Sequence, residues 1–262
     1  MPDLHSNNAM YTLCGLLVGV LVGFTGVGGG SLMTPSLVFL FGFSPATAVG
    51  TDLLYAALTK SCGAFIHGRN ATVDWRIVGR LAAGSIPATV AMILLLRYLD
   101  RSGQSTNHLI GAVLGVALIV TAAGLIFRGR ILGKFAPTVS GLSERQIAGL
   151  TVVLGLVLGV FVSLSSIGAG AIGMLVLLVL YPNVPSARLV GTDIAHAVPL
   201  TLLAGIGHWY LGGIDWILLV SLLVGSLPGI AIGSQLATHV PDRVLRPILG
   251  TALVAVGARL IA

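Results

Sequence analysis

The stretch GVGGGSLMTP at residues 26–35 interrupts an apolar segment that runs from Tyr11 to Gly42. Glycine and proline are the residues that a helix interior tolerates least, so this stretch predicts a break in an otherwise helical segment. A second long apolar segment, Gln146 to Tyr181, is interrupted in the same way by SLSSIGAGAI at residues 163–172. The chain therefore contains two broken segments, one in each half.

The composition around these breaks predicts an integral membrane protein. Hydrophobic residues make up 56% of the chain and charged residues 8%, with a mean hydropathy of +1.02, whereas a soluble domain carries roughly 25% charged residues. Apolar runs of the roughly 20 residues that span a bilayer recur along the sequence, so we expect one membrane domain over residues 1–262 with the lipid bilayer as its partner. The net charge of +6 comes from basic residues spread over short loops, which is typical of membrane topology and gives no indication of nucleic-acid binding.

The second half of the chain repeats the first. Rare residues recur at an offset of 140, which becomes 141 after one inserted residue; the matched pairs are Gly28 with Gly168, Pro45 with Pro185, Asp52 with Asp193, His67 with His208 and Trp75 with Trp216. We predict a first repeat at 11–127, a linker at 128–145 and a second repeat at 146–262. Duplicated halves are common in secondary transporters, which bind substrate where the repeats meet.

The distribution of basic residues favours two inverted halves. The loop after the second apolar segment contains Arg69, Arg76 and Arg80, but the matching loop at 209–215 contains no Lys or Arg. The two loops then lie on opposite sides of the membrane, provided that each half has an odd number of crossings. We therefore predict an all-α polytopic fold of two inverted repeats, each with a broken or re-entrant first segment of two half-helices followed by three transmembrane helices. Both termini are expected in the periplasm and the linker in the cytoplasm.

The two breaks are candidate anion sites. A helix that begins inside the membrane leaves N–H groups unpaired at a positively charged end, which favours anions. We interpret these breaks as two opposed cradles for a small anionic substrate, although glycines also serve close helix packing, as Gly15-x-x-x-Gly19 indicates. The predicted substrate-binding residues are Thr25, Gly28, Gly29, Gly30, Ser31, Thr51, Ser165, Ser166, Gly168, Gly170 and Thr192, with Ser163 as a further hydroxyl.

Several ionisable residues lie inside apolar segments, where a charge is costly and usually functional. Asp52 and Asp193 occupy equivalent places and are candidates for proton or ion coupling, although a polar pair that serves helix packing is the alternative. Lys60 either neutralises Asp52 or attracts an anion, and Thr201 occupies the matching position. Asp74 and Asp215 each precede a tryptophan and are predicted to cap helices.

The motifs resemble those of the sulfite exporter TauE/SafE family of membrane permeases. The resemblance rests on G-x-G-G-G-x-L-x-x-P at Gly26 to Pro35, on P-x-x-A-V-G-T at Pro45 to Thr51, and on their duplication, and it covers nearly the whole chain. It implies transport of a small sulfur-containing anion, such as sulfite or an organosulfonate, across the bacterial inner membrane. Asp52 and Asp193 depart from the family pattern, in which Ser or Asn often follows the Gly-Thr pair.

We therefore predict a secondary transporter of a small anion, with proton coupling as an open possibility. A passive anion channel and a non-transporting membrane scaffold are the alternatives. The sequence contains no H-E-x-x-H motif and no phosphate-binding loop, so we expect neither an enzyme nor a cofactor or bound metal. The sequence leaves open whether the chain forms a homodimer.

Overall fold

The computed structural model describes residues 4–25, 30–69, 71–101, 106–139, 141–236, 251, 253–254 and 257–260. Within these ranges the chain is helical and contains no strand. The helices in chain order are α1 (Leu4–Thr25), α2 (Gly30–Phe41), α3 (Pro45–Arg69), α4 (Trp75–Arg101), α5 (Thr106–Ile126), α6 (Arg128–Val139), α7 (Glu144–Ser165), α8 (Ile172–Leu180), α9 (Ser186–Tyr210) and α10 (Trp216–Leu236).

Five of these helices are long and apolar enough to cross a membrane: Trp75–Asp100, Thr106–Ile126, Glu144–Ser165, Ser186–Tyr210 and Trp216–Gly233. Helix α3 has 25 residues but contains Asp52 and Lys60. The prediction of a multi-pass, all-α membrane protein is confirmed. The last apolar segment, Val244 to Ile261, lies mostly outside the described residues.

Each broken segment folds back on itself. Tyr11 near the start of α1 packs edge-on against Phe41 at the end of α2, with 5.0 Å between ring centroids. At the corresponding places Thr151 Oγ1 and Tyr181 Oη lie 2.7 Å apart, which joins the start of α7 to the end of α8. The chain therefore reverses direction at both breaks, and the second break, residues 166–171, is located as predicted. The expectation of two half-helices in each broken segment is wrong for α7, which has 22 residues and is long enough to cross a membrane by itself.

Glycines bring helices of the two halves into backbone contact. A Cβ atom on Gly19 in α1 would lie 2.6 Å from the carbonyl oxygen of Ser226 in α10. In the same way a Cβ atom on Gly159 in α7 would lie 2.5 Å from the carbonyl oxygen of Ser85 in α4. These two helix pairs are equivalent under the 140 and 141 offsets, and each pair joins one half to the other. Close packing therefore accounts for these glycines, as expected for small residues in membrane helices.

Helices α3 and α9 are the equivalent pair at the centre, and they run antiparallel. Gly63 in the later part of α3 lies against Ile194 near the start of α9, where an added Cβ would be 3.5 Å from that side chain. Gly205 near the end of α9 lies against Leu54 in the earlier part of α3. The crossing brings the later part of α3 close to the start of α9.

Two reciprocal hydrogen bonds hold the ends of these central helices. The backbone N–H of Asp215 donates to Thr51 Oγ1 at 3.1 Å, and that of Asp74 donates to Thr192 Oγ1 at 2.9 Å. Each threonine thus pairs with the aspartate that precedes a helix in the other half. The predicted capping role of the aspartates is confirmed, because Asp74 Oδ1 accepts from the N–H of Arg76 at 3.1 Å and Asp215 Oδ1 from that of Leu218 at 2.9 Å.

The linker between the halves is not an irregular polar segment. Residues 128–139 of the predicted linker form α6, which packs against α5 and α8. Phe127, Ile131 and Phe135 recur every fourth residue, so they share one helix face, and Arg130 and Lys134 lie beside that face. The sequence reading noted the basic residues but missed this amphipathic pattern.

Candidate functional site

A cavity of about 210 Å³ lies between the two halves. It is bounded by α1 and α3 on one side and by α8, α9 and α10 on the other. The lining residues are Val22, Gly23, Tyr55, Thr59, Lys60, Gly63, Gly170, Met174, Val190, Asp193, Ile194 and Ile230. Most of this wall is apolar, and the charged side chains in it are Lys60 and Asp193, one from each half.

Lys60 reaches from the first half to the second break. Its Nζ donates a hydrogen bond of 3.3 Å to the carbonyl oxygen of Ala169, between the two glycines of that break. The ammonium interacts electrostatically with both acids, and its interaction with Asp193 is stronger than that with Asp52. It forms no direct ion pair with either acid, and it contributes the positive charge of the cavity wall.

Asp193 lies where the second cradle was expected. Its side chain faces the start of α8, because a Cβ atom on Gly173 would lie 2.6 Å from Asp193 Oδ1. The residue is 3% exposed, and Oδ1 has no hydrogen-bond partner among the described residues. A helix N-terminus stabilises a negative charge, and this carboxylate lies beside the positive end of α8.

Asp52 is equivalent in sequence but differs in its surroundings. It is fully buried and does not line the cavity. Thr34 Oγ1 donates to its Oδ2 at 2.5 Å, and the hydroxyl of Ser166 lies beside the same carboxyl group. Ser166 also touches Gly30, whose added Cβ would collide with the Ser166 carbonyl. The start of α2 therefore meets the second break beside Asp52.

The other predicted site residues occupy several different environments. Ser165 Oγ donates to the carbonyl oxygen of Phe161 at 2.6 Å and Ser163 Oγ to that of Gly159 at 2.6 Å, so both hydroxyls are engaged within α7. Thr51 and Thr192 form the reciprocal bonds described above and do not line the cavity. Ser31 is buried in α2. Gly28 and Gly29 lie outside the described residues, as does the side chain of Thr25.

Backbone conformation gives two of the predicted glycines a second role. Gly168 has φ of +128° and Gly170 has φ of +114°. These values lie in the left-handed region, which residues other than glycine rarely adopt. A bulky substitution at Gly170 would therefore strain the backbone as well as fill the cavity, and loss of transport in such a variant would not by itself identify an anion cradle.

Sequence reasoning missed the contribution of Tyr55 to the cavity. Tyr55 is 1% exposed, and the 141 offset makes it equivalent to His196. His196 Nε2 lies 2.9 Å from the hydroxyl of Ser85, and Ser226 holds the place of Ser85 in the other half. Two polar side chains at one repeated position were the signal that could have indicated an interior site.

The histidines at 67 and 208 lie at the ends of α3 and α9 and form hydrogen bonds there. His67 Nδ1 lies 2.8 Å from Thr72 Oγ1, just after the end of α3. His208 Nε2 donates to the carbonyl oxygen of Ser163 at 2.9 Å and is 2% exposed.

Comparison with known proteins places this arrangement among membrane transporters. Residues 11–260 match the family model described as sulfite exporter TauE/SafE. The chain is 38% identical to the probable membrane transporter protein YjnA of Bacillus subtilis over 252 residues, which cover 95% of this chain and 98% of that protein. It is 29% identical to the probable membrane transporter protein YdhB of the same organism, over 88% and 90% of the two chains. It is 22% identical to the probable membrane transporter protein MJ0441 of Methanocaldococcus jannaschii, over 94% and 92%. No solved structure matches the chain.

Proposed function

The chain belongs to the sulfite exporter TauE/SafE family, and from this we propose that it is a secondary transporter of a small anion of the sulfite or organosulfonate class. It is a multi-pass membrane protein whose relatives are named probable membrane transporters. We assign it to the cell inner membrane, the location that the family resemblance implies.

We further propose that the two halves are inverted repeats. The support is the antiparallel crossing of α3 and α9, the reversal of the chain at each break, and the reciprocal bonds of Thr51 and Thr192. A hairpin followed by three crossings leaves each half with an odd number of net crossings, which inverts the second half relative to the first. Inverted halves support alternating access, in which one unit moves against the other around a fixed site.

The observation that carries the proposal is the cavity at the junction of the halves, with Lys60 and Asp193 in its wall. An isolated anion in an apolar enclosure requires a counter-charge, and Lys60 supplies it. Asp193 would repel the anion when ionised and accept it when protonated. Anion and proton would then enter the cavity together and leave together, which couples transport to a pH gradient.

The residues of the site have distinct proposed roles. Lys60 binds the anion, and the backbone N–H of Gly170, which hydrogen-bonds to Asp193, would add a donor to the bound anion. Asp193 carries the coupled proton. Asp52, buried beside the contact of Gly30 with Ser166, is the equivalent acid of the other half. Its protonation would change that contact between the halves.

Uptake into proteoliposomes tests the proposal. Purified protein is reconstituted, and uptake of labelled sulfite, methanesulfonate, sulfate and chloride is followed with and without an imposed pH gradient. We expect saturable uptake of at least one sulfur anion, accumulation driven by the gradient, and loss of both in Lys60→Gln. Uptake that does not saturate and only follows membrane potential would favour a channel, and uptake equal to that of protein-free liposomes for every anion would favour a scaffold.

A further inference from the structure

A second cavity lies on the outside of the helix bundle, away from the transport site. It has a volume of about 590 Å³ and is bounded by α5, α6 and α8. Its wall is apolar apart from one threonine hydroxyl and includes Val120, Ala123, Phe127, Ile131, Phe135 and Leu175. Its volume lies within the roughly 300–1,000 Å³ of small-molecule sites, but the wall offers no counter-charge for a small anion.

Two cations lie beside this cavity, each over an aromatic ring of its wall. The guanidinium carbon of Arg130 lies 5.7 Å from the ring centroid of Phe127, and Lys134 Nζ lies 5.7 Å from that of Phe135. Both rings line the cavity and are about half exposed, at 45% and 48%. Arg130 and Lys134 are themselves exposed and are four residues apart, so they project from the same side of α6.

We propose that this cavity binds one acyl chain of an anionic phospholipid of the surrounding bilayer, with the lipid phosphate held by Arg130 and Lys134. An apolar cavity with cations beside it is complementary to a lipid that has an acyl chain below a negatively charged headgroup. Basic amphipathic helices at membrane surfaces attract anionic lipids in this way. Since α6 belongs to the linker between the halves, and the described residues contain no second copy of it, the site occurs once per chain.

The position of the cavity connects the lipid to the second break. The wall continues to Ala171 and Ile172, which are the N-cap and first residue of α8. A different face of this helix start carries Gly173 against Asp193. An acyl chain in the cavity would therefore support α8 from the lipid side, in the position that presents its N-terminus to the transport site.

Native mass spectrometry of the purified chain tests binding without any transport assay. Phosphatidylglycerol and phosphatidylcholine with identical acyl chains are titrated into the protein in detergent. We expect one phosphatidylglycerol bound per chain, with an affinity that falls about thirtyfold in the double variant Arg130→Gln, Lys134→Gln, or about fivefold for each cation removed. Phosphatidylcholine should bind the parent and the double variant equally weakly.

Two further kinds of variant complete the test: one removes a comparable cation elsewhere, and one fills the cavity. Arg69 lies over the ring of Phe65 at 5.6 Å, and neither residue lines this cavity, so Arg69→Gln should leave phosphatidylglycerol binding unchanged. Ala123→Trp should block binding by filling the cavity, whereas Ala123→Ser should not. Equal binding of the two lipids by the parent protein would overturn the proposal. So would parent-like phosphatidylglycerol binding in both the double variant and Ala123→Trp, and self-association of the parent that is lost in Ala123→Trp would assign the cavity to a second copy instead.

Discussion

Replacing Asp193 with asparagine separates proton coupling from anion binding. Asparagine has nearly the same shape as aspartate but cannot become negatively charged. Asp193 is 3% exposed beside Gly173, which leaves no room for a larger side chain. The variant should therefore fold, and the only change in the cavity is the permanent loss of one negative charge opposite Lys60.

The cavity sets the size of the effect. In a space of about 210 Å³, a bound anion is about 6 Å from a carboxylate in the wall, and at an effective dielectric constant of about 20 the repulsion is about 3 kcal/mol. Protonation of Asp193 removes this repulsion, so the parent protein should bind the anion about a hundredfold more tightly at low pH than at high pH. In Asp193→Asn the affinity should stay at the tight value at every pH.

Binding and uptake of methanesulfonate, which stays ionised throughout the neutral pH range, measure this difference. In proteoliposomes of the parent, a gradient of one pH unit should drive accumulation of about tenfold, since one unit corresponds to about 1.4 kcal/mol. Asp193→Asn should equilibrate the anion without accumulating it, and Asp52→Asn should also lose gradient dependence, whereas the exposed Asp100→Asn should behave as the parent. Accumulation by Asp193→Asn equal to that of the parent would refute proton coupling at this carboxylate and leave it a structural role.

Three further outcomes are expected. Lys60→Gln should weaken anion binding by about a hundredfold, by the same Coulomb reasoning with the opposite sign, while Thr201→Val at the equivalent position should not; equal binding constants would remove Lys60 from the site. Gly225→Leu should lower the free energy of unfolding by about 1–3 kcal/mol or more, because its side chain would collide with the Thr12 carbonyl, whereas Gly79→Leu, with open space around it, should keep the parent melting temperature. A single cysteine in the linker 128–145 of a cysteine-free background should be protected from an impermeant label added to intact cells, and labelling there would reverse the proposed topology.

The sequence was enough for the class of fold, because the relevant signals are local. Apolar runs of spanning length and clustered glycines at residues 26–30 and 168–170 predict the helices and the breaks without knowledge of any contact. The duplication followed from residues that are rare in membranes, such as Asp52 and Asp193. Helix α6 was missed because its large apolar residues, Ile131, Leu132, Phe135 and Val139, are spaced between glycines and basic residues that indicated a loop.

The pairing across the cavity could not be predicted in the same way. Lys60 follows Asp52 by eight residues, which puts it about 12 Å further along α3, and the sequence reading could only compare residues on one helix. The antiparallel crossing of α3 and α9 brings Lys60 to the break beside Asp193 instead. The crossing depends on where glycines such as Gly63 and Gly205 allow close approach, and this is a property of the assembled bundle.

The pairing of α1 with α10 has a consequence for biosynthesis. Gly15 and Gly19 contact the backbone of Leu222 and Ser226, which leave the ribosome about 200 residues later. At a synthesis rate of about 5–20 residues per second, α1 is therefore without its partner helix for about 10–40 s. During that time its glycine stripe faces lipid or the insertion machinery. Premature termination before residue 216 would leave this surface without its partner, and a membrane quality-control protease could distinguish an unfinished chain from a finished one by that exposed stripe.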